Sequence, residues 1–116
     1  CGACDAETDV LIGGDAATGA LPDLWRGLRR NTGARVVIAG YYEASRGVTR
    51  YTGCRPSLAR IDARAEAFAA RNTWAYFVDG EDVVTTDMIA SDRVHPSAQG
   101  SAAIAGLVAG VIADVE

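Results

Sequence analysis

Asp9-Val10-Leu11-Ile12-Gly13-Gly14-Asp15-Ala16 is the stretch on whose reading the fold turns. A short apolar run closed by a pair of glycines reads as a buried parallel strand running into a turn. Downstream, Leu21 to Arg30 has helical spacing. Leu21, Leu24, Trp25 and Leu28 share a face, and Arg26, Arg29 and Arg30 lie off it. Asn31-Thr32-Gly33 ends that helix. The strand-then-helix pattern then recurs. Ala34 to Tyr42 is the clearest strand in the chain, and a loop follows from Glu43 to Pro56. A helix over Ser57–Arg71 turns Leu58, Ile61, Ala65, Phe68 and Ala69 inward. Trp74 to Asp79 is the third strand, and the loop from Gly80 to His95 carries Asp82, Asp87 and Asp92. The last helix, Ser97 to about Asp114, faces inward with Ile104, Leu107, Val108, Val111 and Ile112.

This order, β-α-β-α-β-α, predicts an α/β fold: a three-layer, flavodoxin-like parallel sheet with helices on both faces, in a single domain over residues 1–116. Sites in such sheets lie beyond the carboxyl ends of the strands. Those ends are Gly13 to Ala16, Tyr41 to Glu43, and the loop carrying Asp92 and His95.

Bulk properties narrow the function. A chain of 116 residues is near the modal domain size. The formal charge of −4 argues against a nucleic-acid partner. All 11 basic residues are arginine, which reads as compositional bias. The longest apolar candidate, Ala102 to Ala113, reads as a buried helix and falls short of a membrane span. No signal peptide is visible, although a secreted protein that has lost one would look the same. Cys1-x-x-Cys4 precedes a strand and has no second pair, so neither a metal nor a cofactor is expected. Cys4 and Cys54 are placed at opposite ends of the sheet, too far apart for a bridge, which leaves Cys54 free or without its partner.

Asp92-Arg93-Val94-His95-Pro96-Ser97-Ala98-Gln99-Gly100 holds the only histidine. Histidine takes and returns a proton near neutral pH. An acid three residues upstream, across a tight turn, can accept from Nδ1–H and leave Nε2 as a base. On spacing alone the pair reads as a solvated loop acid beside a cap residue. The longer string, D-x-x-H-P-x-x-x-G before an alanine-rich helix, is more specific. It resembles the last conserved block of the SGNH (GDSL-type) hydrolases.

The resemblance covers roughly the family's C-terminal half to two-thirds. It implies a carboxylic ester hydrolase acting on a small-molecule ester, with His95 as general base and Asp92 orienting it. It also places Gly13, Gly14 and Asp15 at the oxyanion and substrate side, as the family's middle block. Two departures follow. That block usually carries an Asn donor, and an ionised Asp15 in its place would repel the developing charge. The family's first block, with its serine nucleophile, has no counterpart; Ser45 is the least poor substitute and reads better as a loop serine. The chain therefore reads as truncated relative to that family, a fragment or inactive form with little activity of its own. The alternative is a non-catalytic, flavodoxin-like binding or assembly module. A missing neighbour strand would leave the Asp9–Gly13 edge bare, so a homodimer, or pairing with an absent N-terminal segment, is expected through that edge.

Overall fold

The computed structural model describes residues 5–43 and 53–115. Helix α1 spans Asp5–Leu11, α2 Ala20–Thr32, strand β1 Val36–Ala39, α3 Arg55–Ala70, β2 Ala75–Val78 and α4 Ala98–Val115, with a 3-10 turn at Thr86–Met88 before α4. The strands pair in parallel, Val36 opposite Ala75 and Ala39 opposite Val78, with α3 as the crossover. The class is α/β.

The first stretch is not a strand. Its upstream neighbours Asp5, Ala6 and Glu7 extend the run into a helix. Within the segment Thr8 and Ile12, four apart, are buried, while Val10 is 70% exposed. That is a helical face; a strand would alternate. Four apolar residues in a row cannot be assigned by periodicity, and the residues before them decide. Among the described residues the sheet therefore has two strands, not three. No strand edge exists over residues 9–13, and the expected dimerisation or segment pairing through it falls away.

The core lies on one face of β1 and β2. Val36, Ile38, Ala75 and Phe77 point into it, meeting Trp25 of α2 and Ile61, Ala65, Phe68 and Ala69 of α3. Phe68 is the centre, 1% exposed, with the Trp25 ring 4.9 Å away and the Trp74 ring edge-on at 5.7 Å. Arg26 covers its outer side, its guanidinium 5.5 Å from the ring centroid. Val37, on the opposite face by strand alternation, shares a wall with Ile112 and Val115 of α4.

Helix α2 ends as expected at Gly33, whose φ of 68° lies in the left-handed region that favours glycine. Its inner face is narrower than the spacing suggests: Trp25 is buried, but Leu24 and Leu28 are 55% and 45% exposed. Helix α4 also differs from expectation. Only Gly100 in it is buried, so the helix lies on the sheet with most of its surface uncovered. By length and composition alone, its 18 residues with mean hydropathy 1.5 suffice to cross a membrane. Cys54, the residue before α3, is disulfide-bonded, which overturns its expected free state. The expectation about Cys4 falls outside the described residues, as does Ser45.

Candidate functional site

Beyond the carboxyl end of β1 the backbone stays pinned. The Gly40 N–H donates to the Val78 carbonyl at 2.8 Å, and the Glu43 N–H to the Glu81 carbonyl at 3.1 Å. Between them, the Tyr41 N–H donates to both carboxylate oxygens of Asp62, at 3.2 and 3.1 Å. Gly80 is obligatory here, because a Cβ would stand 2.5 Å from the Gly40 carbonyl oxygen. These ties hold Tyr42 at the top of the sheet. Its hydroxyl donates to the Val94 carbonyl, 52 residues on.

Val94 belongs to the turn that carries the histidine. Asp92 Oδ1 accepts from the N–H groups of Val94 and His95, at 2.9 and 3.0 Å. Asp92 Oδ2 lies 2.6 Å from His95 Nδ1. Arg93 bends the chain with φ of 63°, a conformation that L residues rarely adopt. The Ala90 N–H closes the loop on the His95 carbonyl at 2.8 Å, and Ile89 bridges Pro96. Pro96 sits one residue before the helix cap and not at the first helical position. The cap is Ser97, whose Oγ accepts from the Gly100 N–H at 3.2 Å.

The His95 contact, together with the two backbone donors, lowers the Asp92 pKa to about 2. Asp92 is therefore an anion at neutral pH and can only accept. His95 must carry its hydrogen on Nδ1, which leaves Nε2 as the basic nitrogen. The geometry makes His95 a poised proton acceptor with a fixed tautomer. Both side chains are open to solvent, His95 76% and Asp92 50% exposed. Tyr42 is affected in turn: burial, then the negative charge of Asp92, pushes its phenol up, so it remains a donor well above neutral pH.

The remaining residues expected at the site lie elsewhere. Gly13, Gly14 and Asp15 form the turn between α1 and α2, not a strand end. Asp15 Oδ1 accepts from the Ala17 and Thr18 N–H groups, at 2.9 and 3.0 Å, and from the Thr18 hydroxyl at 3.0 Å. Those donors, the Ala17 N–H foremost, lower its pKa. Among the described residues no hydrogen bond or ion pair joins these three to Asp92 or His95. An anionic Asp15 already filled by its own turn is an acceptor, so it cannot supply an oxyanion donor.

A cleft of about 630 Å³ opens at the carboxyl ends of the strands, where Tyr41 to Glu43 were expected to border a site. Tyr41, Tyr42 and Phe77 line it with the carboxylates of Asp62, Asp79 and Glu81. Burial raises the Asp62 pKa against the Tyr41 N–H, and the Asp79 and Glu81 charges add to the rise. Asp62 sits four residues after Leu58, on the edge of the inner face of α3, and that spacing was the available signal. Tyr42 is shared: one side lines the cleft and its hydroxyl holds the Asp92 turn. Among the described residues no group of three or more His, Cys, Asp and Glu side chains could hold a metal ion.

Compared with protein-family models, with curated proteins and with solved structures, the chain gives no match.

Proposed function

We propose that Asp92 and His95 are the acid–base pair of an SGNH-type ester hydrolase, within a flavodoxin-like, doubly covered parallel sheet. The observation that carries this reading is the 2.6 Å contact between Asp92 Oδ2 and His95 Nδ1, with Asp92 ionised. In such a hydrolase His95 Nε2 takes the proton of a hydroxyl nucleophile, and Asp92 stabilises the imidazolium that forms. The substrate class is a small carboxylic ester. The pair needs a nucleophile and oxyanion donors, and Asp15 cannot be one of those donors. The residual catalysis of a triad without its nucleophile, ~10³–10⁴-fold over water, depends on that oxyanion hole. The isolated chain is therefore expected to turn over short acyl esters barely above background. The test is ester hydrolysis by this chain and by the full gene product, each with His95→Ala and Asp92→Asn. Turnover lost in both variants supports the pair. Turnover unaffected by His95→Ala overturns it.

A second reading, a non-catalytic binding module, is favoured by the cleft. It lies where open parallel sheets take ligands, and its volume is in the usual range for small-molecule sites.

A further inference from the structure

The Asp92 turn is held mostly by itself. Asp92 Oδ1 accepts from the Val94 and His95 N–H groups, the Ala90 N–H donates to the His95 carbonyl, and the Ser97 N–H donates to the Met88 carbonyl, all within ten residues. Among the described residues, the hydrogen bond that ties this turn to the sheet is the one from Tyr42 to Val94. Its position matters. The carbonyl of Val94 and the N–H of His95 belong to one peptide unit. Tyr42 holds the carbonyl side and Asp92 Oδ1 the N–H side, so the plane is clamped from both ends. That plane sets the direction in which the His95 side chain leaves the backbone. A single hydrogen bond to Asp92 Oδ2 would otherwise have to orient a largely exposed ring, against the side-chain entropy that ordering costs.

The clamp is also firmly based. Tyr42 follows Gly40 and Tyr41 and precedes Glu43, whose backbone N–H groups are all bonded to β2, its following loop or α3. A left-handed residue such as Arg93 persists only where its surroundings over-determine the backbone.

We propose that Tyr42 is a positioning residue for His95: its hydroxyl, on the Val94 carbonyl, fixes the peptide plane from which the imidazole reaches Asp92. Its use in catalysis rests on the acid–base reading above; its use in positioning does not. Tyr42 acts through the backbone and touches no reacting atom.

The test is Tyr42→Phe, which removes the hydroxyl and keeps the ring. With one histidine in the chain, the nitrogen-15 spectrum of the imidazole reports a single ring. The unaltered protein is expected to show the Nδ1–H tautomer and a downfield Nδ1–H proton. In Tyr42→Phe that proton signal is expected to be lost and the two tautomers to mix, with the far-ultraviolet dichroism unchanged. A merely structural role would lower the melting temperature and leave the tautomer alone, and that result overturns the proposal. If Tyr42→Phe does not fold, the unaltered protein is followed above pH 10, where the ionising phenol loses its donor. The ring nitrogen shifts should then turn to those of mixed tautomers as Tyr42 ionises; a ring that keeps the Nδ1–H tautomer after Tyr42 has ionised overturns the proposal. Loss of the signal in Tyr42→Phe, in a full gene product without esterase turnover, would leave the positioning intact and remove only the hydrolase reading.

Discussion

Two turns of this chain share one construction. In each, an Asp accepts from the N–H groups two and three residues on, and from the side chain three residues on. In each, the residue after the Asp is left-handed: Ala16 with φ of 55° and Arg93 with φ of 63°. The difference is the third residue. Thr18 gives Asp15 a neutral hydroxyl, whereas His95 gives Asp92 a ring with a second, free nitrogen. The Asp-x-x spacing is thus a way of building a turn, and the chemistry comes only from what stands at its end. The surroundings differ too. Ala16 is 3% exposed, and Arg71 reaches the Asp15 carbonyl; the Asp92 turn stands in solvent and leans on Tyr42.

The same substitution in both turns should separate backbone strain from packing. Valine at a positive φ is strained in either place. At Ala16 it must also fit into a filled core, so Ala16→Val is expected to cost about 3 kcal/mol. Arg93→Val carries only the strain, about 1 kcal/mol. Denaturant unfolding of the two variants checks this, and equal losses would mean that the burial difference carries no energy.

Acid is the next probe, because both aspartates titrate below the ordinary carboxylate value. A lowered folded-state pKa contributes stability above the unfolded value and loses it as the proton goes on. For Asp92 that loss runs from about pH 4 down through about 2. Asp62 has the opposite sign: its raised pKa favours folding below the unfolded value and gives way as pH rises through the folded one. Melting temperatures from pH 2 to 7 should therefore fall more steeply toward acid in Asp62→Asn than in the unaltered chain. A flatter profile in Asp92→Ala completes the check; an unchanged one would detach the Asp92 turn from stability.

The smallest change in stability is expected from exchanging the end residues. His95→Thr copies the Asp15 turn and should melt within about 0.5 kcal/mol of the original, as surface changes usually do. Thr18→His should create a second imidazole bonded to its aspartate, visible as a second downfield Nδ1–H proton. Failure of that signal to form would mean that the two turns are alike only in their backbones.

The sequence made one of these turns legible and misread the other for an identifiable reason. D-x-x-H-P with its following helix carried the contact between Asp92 and His95, because a turn of four residues is settled by local donors and acceptors. Val36–Ala39 and Ala75–Val78 were also readable, since β-branched and aromatic residues dominate them and turn residues bound them. Val10-Leu11-Ile12 has the same apolarity, yet Asp5 to Thr8 continue it into a helix, and this placed Asp15 wrongly. Tyr41 to Glu43 were placed at a strand end where a site is expected, and the cleft lies there. Its other wall, Asp62, Phe77, Asp79 and Glu81, and the Tyr42–Val94 bond were beyond reach, because each joins residues whose neighbourhood only the folded sheet creates.

Strand pairing here also fixes an order of events. Every β1 residue meets a β2 residue 39 positions later, as 75 − 36 shows for Val36 and Ala75. Closing a flexible loop of that length costs about 3 kcal/mol before any ladder bond is made. Helix α3 occupies 16 of the intervening positions and carries Phe68, around which both tryptophans gather. Once α3 is wound, the distance to be searched shrinks, and its buried stripe offers both strands a common surface. A nucleus formed by α3 and its aromatic cluster is the expectation that chevron kinetics can test: substitutions there should slow folding, whereas substitutions in either aspartate turn should mainly hasten unfolding.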